Sequence, residues 1–456
     1  MMHDDSSIGR GRRCTVALMG PFGFGNLGDA AIQDAVITNL RLRLPRIRLV
    51  GISMRPADTQ WRHGLDTYCY DTTAYLNLRR APRQAKHGGA AANALGASSV
   101  ADPSNSRRPS RWYPKRLMGR LPELQHAWYV FRALRHIDVL VASGGGQLDE
   151  SWGGPRNHPF TLFKWTALAR LRGVRVVFLS VGVGTIDSAE GRWFLRWTLR
   201  LTHQYTFRDT GSRDLANLAL GTQRWAKVVP DLAFGLPVNP APYRSDSRPG
   251  PLNVAIGVLP FYDPRMWPQR SAAKYEKYLS VMADFCRHVL EKGHRITLIV
   301  GEVNQDRVVI GDLLVRLNDN INEGRRERIS APSIATVNDL ISALASADIV
   351  VAARFHGVLL SLLLERPVLA LSYERKVRQL MIDLSQGEQC IELENLAHEP
   401  LRAAFDRLAI ERERIQARLR SDIRLQTMQV MAQFDSFSHD LKTACHLGDE
   451  DRSGHI

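Results

Sequence analysis

At 456 residues the chain is longer than a single hydrophobic core usually supports, so two domains are expected. Apolar residues at 44% and charged residues at 23% are those of an ordinary folded protein and exclude a disordered scaffold. The formal net charge of +15 admits nucleic acid, an anionic membrane surface or phosphorylated small molecules as partners, without choosing among them.

Residues 1–13 form a polar tail without the apolar core of a signal peptide. Thr15 to Met19 then reads as a strand that passes into GPFGFGNLGDAAIQDAV and a helix with Ile32, Val36, Ile37 and Leu40 at core spacing. Ile47 to Ile52 reads as a strand. Residues 81–122 lapse into Ala, Gly, Ser, Pro and Arg, as expected of a mobile insertion. Within it Arg107, Arg108, Arg111, Lys115, Arg116 and Arg120 surround Trp112 and Tyr113, which would suit lipid phosphates or form a solvated basic loop. Leu124 to Leu134 reads as a helix, Asp138 to Ala142 as a strand ending in SGGG, His158 to Leu171 as a helix, and Val174 to Ser180 as a strand ending in VGVG.

The proline-rich stretch PVNPAPYRSDSRPGP, Pro237 to Pro251, has the composition of an interdomain linker. After it Leu252 to Leu259 reads as a strand, Ala272 to Leu290 as a helix and Arg295 to Val300 as a strand. Val337 to Leu344 reads as a helix that Thr336 caps. Asp348 to Ala352 is a strand leading to RFHG and a further helix, Pro367 to Leu371 is a strand, and Leu401 to Phe434 is a charged helical segment.

Strands alternating with helices of these lengths imply parallel βαβ units. The expected fold class is therefore α/β, with two Rossmann-like domains facing a cleft. The first covers residues 14–238, a linker 239–251, the second 252–395, and a C-terminal helix and tail 396–456. In such sheets ligands bind at the carboxyl ends of strands, so the loops there hold the candidate residues. Asn26, Gly28 and Asp29 open the first helix after a glycine-rich turn that can approach an anion, although Asp29 would also serve as a plain helix cap. Gly145 and Gly146 of SGGG, and Gly182 of SVGVG, line strand ends where tight packing alone would also favour glycine. Trp152 could stack on a sugar, and His158 could contact or deprotonate a hydroxyl or merely hydrogen-bond near the surface. Arg354 and His356 follow an apolar strand abruptly, beside Gly357, and a guanidinium there needs an anionic ligand or a structural carboxylate. Arg208 in FRDTGS repeats that logic, with Asp209 as a possible partner and Ser212 nearby. Asp231 ends another strand, and Lys376 opens a late helix.

The five cysteines, Cys14, Cys69, Cys286, Cys390 and Cys445, are scattered without a CxxC pair. That spacing suggests neither a zinc cluster nor a disulfide framework and fits a reducing cytoplasm. No apolar run is long enough to span a bilayer.

The ordered set NLGDAAI, SGGGQLDE, SVGVG, FRDTGS, VVPDLAF, RFHG and ERPVLALSYERKV resembles the polysaccharide pyruvyl transferase family, over Gly20 to about Leu384. Ala30 stands where many relatives carry Glu, and Leu148-Asp149 replaces a common Gly-Asp, departures that touch the acceptor side more than the donor side. The resemblance implies a glycosyltransferase-B-like fold, phosphoenolpyruvate as donor substrate, no metal or other cofactor, and a sugar acceptor, free or lipid-linked. It also implies that Arg354, His356 and Arg208 hold the donor's phosphate and carboxylate. The mechanism expected is protonation of the enol methylene carbon by His356, attack by a sugar hydroxyl activated by His158 or Asp29, and closure of a ketal. Two rivals remain at this level: a nucleotide-sugar glycosyltransferase of the same architecture, and a non-catalytic glycan or nucleic-acid binding protein. No nucleic-acid module is recognisable, so a specific nucleic-acid partner is not expected. The expected location is the cytoplasm, with contact at an anionic inner membrane face.

Overall fold

The computed structural model describes residues 13–20, 22–80, 121–151, 153–221, 226–238, 250–318 and 321–445. The basic stretch Arg107 to Arg120, and all of the expected insertion except its last two residues, lie outside these, as do Trp152 and most of the expected linker. Leu121 and Pro122 begin a helix that runs to Ala133.

The chain forms two compact units. One comprises Met1–Gly23, Ile37–Val229 and Gln433–Ile456, the other Phe24–Val36 and Pro230–Ala432. This differs from a simple cut near residue 238, because the glycine-rich segment NLGDAAI belongs with the later residues of the chain.

In the first unit β1 (Thr15–Met19), β2 (Arg48–Ser53), β3 (Thr67–Cys69), β4 (Val139–Ser143), β5 (Arg175–Val181) and β6 (Gln204–Phe207) form one parallel sheet in the order β3-β2-β1-β4-β5-β6. The central strands β1 and β4 are buried along their whole length, which is why they read as unbroken apolar runs. Trp165, Phe178, Phe207 and Tyr70 fill the core, and the Trp165 indole donates to the Tyr70 carbonyl at 2.7 Å.

The second unit repeats the plan with β7 (Asn253–Gly257), β8 (Arg295–Ile299), β9 (Ile329–Ser330), β10 (Ile349–Ala352), β11 (Val368–Ser372) and β12 (Cys390–Glu392). Its parallel order, β12-β11-β10-β7-β8-β9, is the same topology as the first sheet. In each sheet the order reverses at one central pair, β1 with β4 and β7 with β10. Loops leaving the carboxyl ends at such a reversal diverge and open a crevice.

The expected strands and helices fall within a few residues of those found. Short edge elements were not legible: β3, β9 and β12 span only 3, 2 and 3 residues. The helices Pro56–His63, Thr72–Arg80, Ala189–Leu201 and Gln305–Asn318 were not anticipated. The C-terminal helix is longer than expected, His398–Ala444. A disulfide joins Cys14 to Cys445, correcting the expectation of none; the two are 431 residues apart, beyond what spacing can show. Among the described residues no helix is long and apolar enough to cross a membrane.

Thr336 caps the helix Val337–Ala345 as expected. Its hydroxyl accepts from the Asp339 amide while the Asp339 carboxylate accepts from the Thr336 amide, a reciprocal box. Replacing Thr336 by Ala should lower unfolding stability by about 1 kcal/mol, read as a fall in urea midpoint at unchanged m-value.

Candidate functional site

In the second unit the crevice is built where β7 meets β10. β10 ends at Ala352, and Arg354 is the N-cap residue of the helix Phe355–Leu363. Its aliphatic stem crosses Gly301 at the end of β8, where an added Cβ would come within 2.9 Å of Arg354 Cγ. The guanidinium turns to Asp306, which is fully buried: Nη2 donates to Oδ1 at 2.6 Å and Nε at 3.2 Å. Nη2 also reaches Gln305 Oε1 at 3.3 Å. Burial works against the charged guanidinium, but the Asp306 carboxylate, with Tyr373 and Glu302 behind it, more than offsets this and raises its pKa. The guanidinium is thus a permanent cation, and its structural carboxylate is Asp306.

Asp306 is itself held rigidly, since its Oδ2 accepts from the Gly301 and Glu302 amides at 2.9 and 2.8 Å. Glu302 accepts from the amides of Asn304 and Gln305, so it seals the start of the helix Gln305–Asn318. The glycine-rich segment is stitched to this loop: Leu27 N donates to Gly301 O at 2.9 Å, Val303 N to Gly25 O at 3.0 Å, and Asn304 Nδ2 to Phe24 O at 3.1 Å.

His356 is the second residue of the helix Phe355–Leu363, with its ring against Gly28. A Cβ on Gly28 would stand 1.9 Å from the ring Nδ1, so only glycine fits there. On the other side Nε2 faces Asp231 Oδ2 at 3.7 Å, too far for a hydrogen bond. Nε2 is shut from solvent and has no hydrogen-bond partner, in a side chain that is 12% exposed. Asp231, almost fully buried, accepts from the Ala233 amide at 3.0 Å and caps a short 3-10 turn.

Asn26, and not Asp29, is the cap of the first helix: its Oδ1 accepts from Gly28 N at 3.0 Å and its Nδ2 donates to Asp29 Oδ2 at 2.9 Å. Asp29 sits half-buried in the first turn. Gly357 makes only ordinary contacts, 3.6 Å from Ala352 Cβ, so its backbone needs no glycine. Lys376 opens the helix Arg375–Asp383 but pairs with Glu374 at 2.5 Å. Neither this helix nor Phe355–Leu363 has a side-chain cap, whereas Ser271 and Thr336 cap others of the unit. Uncapped helix starts at adjacent strand ends favour an anion.

The first unit treats its candidates differently. Gly144 and Gly145, at φ +61° and +70°, turn the chain after β4, and Leu148 then re-pairs with the segment after β5. Gly146 has open space around it, so packing does not explain that glycine. Gly182 lies under the Arg208 guanidinium, 2.8 Å from where a Cβ would be. Arg208 stands 3.5 Å from Asp209, which caps the helix Thr210–Leu220 through Ser212 N. Ser212 is buried, donating to Asp209 and accepting from Val183 N at 3.0 Å, so it straps the loop instead of facing a ligand.

His158 is also a correction. It is 1% exposed, with Nδ1 2.8 Å from the Tyr70 hydroxyl and the two rings 5.5 Å apart. Burial holds its imidazole down to about 4, so it is a poor choice of base for a sugar hydroxyl.

A sequence profile described as polysaccharide pyruvyl transferase matches residues 26–375, well over half the chain. The chain belongs to the polysaccharide pyruvyl transferase family. None of the curated proteins matches it. Solved structures give its fold, of the glycosyltransferase-B type. A Listeria monocytogenes protein described as a UDP-N-acetylglucosamine 2-epimerase aligns with TM-score 0.57 at 8% identity, covering 97% of this chain and 100% of that one. S. aureus MnaA, solved with UDP, gives 0.55 at 10% identity over 97% and 100%. A UDP-glucose: anthocyanidin 3-O-glucosyltransferase, also solved with UDP, gives 0.54 at 9% over 95% and 99%.

For this pyruvyl transferase family member, sequence reasoning missed Asp306, Glu302 and Tyr70. Asp306 and Glu302 lie in GEVNQD just after β8, and acidic residues following an apolar strand were the available signal. Among the described residues no group of three or more His, Cys, Asp or Glu is arranged to hold a metal.

Asp306→Ala would strand the Arg354 guanidinium and two backbone amides, and should cost about 3–5 kcal/mol in denaturant unfolding. Arg354→Ala should destabilise similarly by leaving Asp306 without its cation. His158 adds a pH dependence. Above its ordinary value of 6.5 the ring is neutral in folded and unfolded chains alike. As pH falls from 6.5 toward about 4 the unfolded chain takes up a proton that the folded one refuses. Stability is then lost at about 1.4 kcal/mol per pH unit, roughly 3 kcal/mol in all. Comparing urea midpoints at neutral and acid pH, His158→Gln should flatten this loss; an unchanged slope would contradict it.

Proposed function

We propose that this chain transfers the pyruvyl group of phosphoenolpyruvate to hydroxyls of a sugar in an exopolysaccharide or cell-surface glycan precursor, free or lipid-linked. The observation that carries this reading is the grouping of His356, whose buried Nε2 faces Asp231 without a hydrogen bond, with an uncapped helix start and a fixed cation. The family membership supplies the reaction class.

In the reaction, the helix start and Arg354 bind the donor's anionic groups, with Arg354 oriented by Asp306. Asp231 faces the His356 Nε2 at 3.7 Å, and the ring packs against Gly28, so the imidazole is held in one place at the helix start. His356 gives its proton to the methylene carbon of phosphoenolpyruvate, and the adjacent carbon becomes oxocarbenium-like. A sugar hydroxyl bonds to that carbon and loses its proton to a base, for which Asp29 is the half-exposed carboxylate next to Gly28. Phosphate departs, a second hydroxyl adds and loses its proton, and the products are a cyclic ketal and inorganic phosphate. Lys376, already paired with Glu374, contributes charge near the same helix starts.

The rival is a nucleotide-sugar glycosyltransferase, a reading favoured by the UDP bound in two of the similar structures. Thermal midpoints with phosphoenolpyruvate and with a panel of UDP-sugars separate the two, because a ligand of the native state raises the midpoint. Phosphoenolpyruvate should stabilise the wild type. His356→Gln should keep that stabilisation but lower acceptor-dependent phosphate release by roughly 100-fold or more. Arg208→Ala, in the same assay, tests the share in donor binding that the family resemblance implies for that residue. Stabilisation by UDP-sugars alone, or full turnover by His356→Gln, would overturn the proposal.

A further inference from the structure

Three helices of the first unit, Leu121–Ala133, His158–Leu171 and Ala189–Leu201, pack side by side over the core of their sheet. Inward they present Val130, Leu162, Trp165, Leu195 and Leu199. Beyond the first turn, the outward positions of Ala189–Leu201 are Arg192, Trp193, Arg196, Trp197 and Arg200, all of them arginine or tryptophan. Trp193 is 48% exposed, Trp197 39%, and Trp128 on the first of the three helices 61%.

These side chains fall into two contacting clusters, which meet the middle helix at Phe163 and, just past its end, at Arg172. Trp193 meets Phe163 at 5.2 Å and Trp197 at 6.2 Å, Trp128 meets Phe131 at 6.0 Å, and the Arg172 guanidinium lies 3.6 Å above the Phe131 ring. Arg200 stacks over Trp197 at 5.6 Å. Leu124 and Leu171 stand exposed in the same helices or at their ends. Two acids of these helices are already used, Glu190 by Arg156 at 2.8 Å and Glu123 by Lys164 at 2.7 Å.

We infer that this face docks on an anionic lipid surface. Tryptophan belongs at the boundary between headgroups and acyl chains, and flanking arginines are drawn to anionic headgroups. A second copy of the same face would oppose arginine to arginine. A nucleic acid would engage the arginines but leave Leu124 and Leu171 in water. The inference stands apart from the proposed reaction and does not depend on it.

The full chain is sedimented with vesicles of phosphatidylcholine alone, and with vesicles of roughly three parts phosphatidylcholine to one of phosphatidylglycerol. Binding should occur only with the anionic vesicles, weaken as salt is raised, and shift tryptophan emission to the blue. Arg200→Glu should cut the bound fraction severalfold with an unchanged thermal midpoint, Arg192 being kept because it donates to the Asp187 carbonyl. Trp128→Ser, on a different helix, is the independent second variant and should also weaken binding. Failure to sediment at low salt, equal binding by these variants, or tighter binding to a single-stranded RNA that the charge reversal abolishes would each overturn the inference.

Discussion

The pair of Arg354 with Asp306 is the constraint on which the second unit turns. A guanidinium placed beyond a fully apolar strand must find a carboxylate, and a carboxylate at the bottom of a crevice must find donors. Asp306 meets both needs by taking the arginine mainly on Oδ1 and the two amides after β8 on Oδ2. That arrangement ties the end of β10 to the end of β8 and fixes the crevice at the reversal of the sheet. It also pins the loop to which the NLGDAAI segment is stitched, and so it governs how Gly28 meets His356.

From there the logic of His356 is steric as much as electrostatic. The ring is sandwiched between Gly28, where no side chain is tolerated, and Asp231, whose carboxylate stands 3.7 Å from Nε2, too far to hydrogen-bond. His158 in the other unit also has a buried Nε2 without a hydrogen bond, but its Nδ1 bonds Tyr70, its burial disfavours charge, and it lies in the core.

Much of this was legible in the sequence, for physical reasons. Central strands are buried on both faces, so β1, β4, β10 and β11 announce themselves as apolar runs, and the residues that break those runs mark the strand ends. RFHG stood out because charge follows five apolar residues without warning. What was not legible depends on partners distant in the chain. Nothing near Arg354 in sequence names Asp306, and nothing near Cys14 names Cys445. The membership of NLGDAAI in the second unit is of the same kind, since its bonds are to residues almost three hundred positions later. Edge strands of two or three residues carry too little pattern to be read, and Ser212 looked available because its two hydrogen bonds close a loop whose shape is tertiary.

The two sheets share one strand order yet end in different chemistry. In the first, polar groups at the strand ends are largely spent on one another: Asp209 on Ser212, Ser212 on Val183, and Glu150 on the start of the helix Ala189–Leu201. The first unit also has uncapped helix starts, Pro56–His63 and His158–Leu171, but in the second the uncapped starts follow the adjacent strands β10 and β11, and the His356 Nε2 beside them makes no hydrogen bond. An unsatisfied buried group is destabilising unless something other than the protein satisfies it. The grouping of Arg354, His356 and two uncapped helix starts at the strand reversal of the second sheet makes the second unit the place to expect the reacting groups. The distinctive feature of the first is instead its outer helical face, where arginine and tryptophan take the positions that solvent-facing Lys and Glu usually fill.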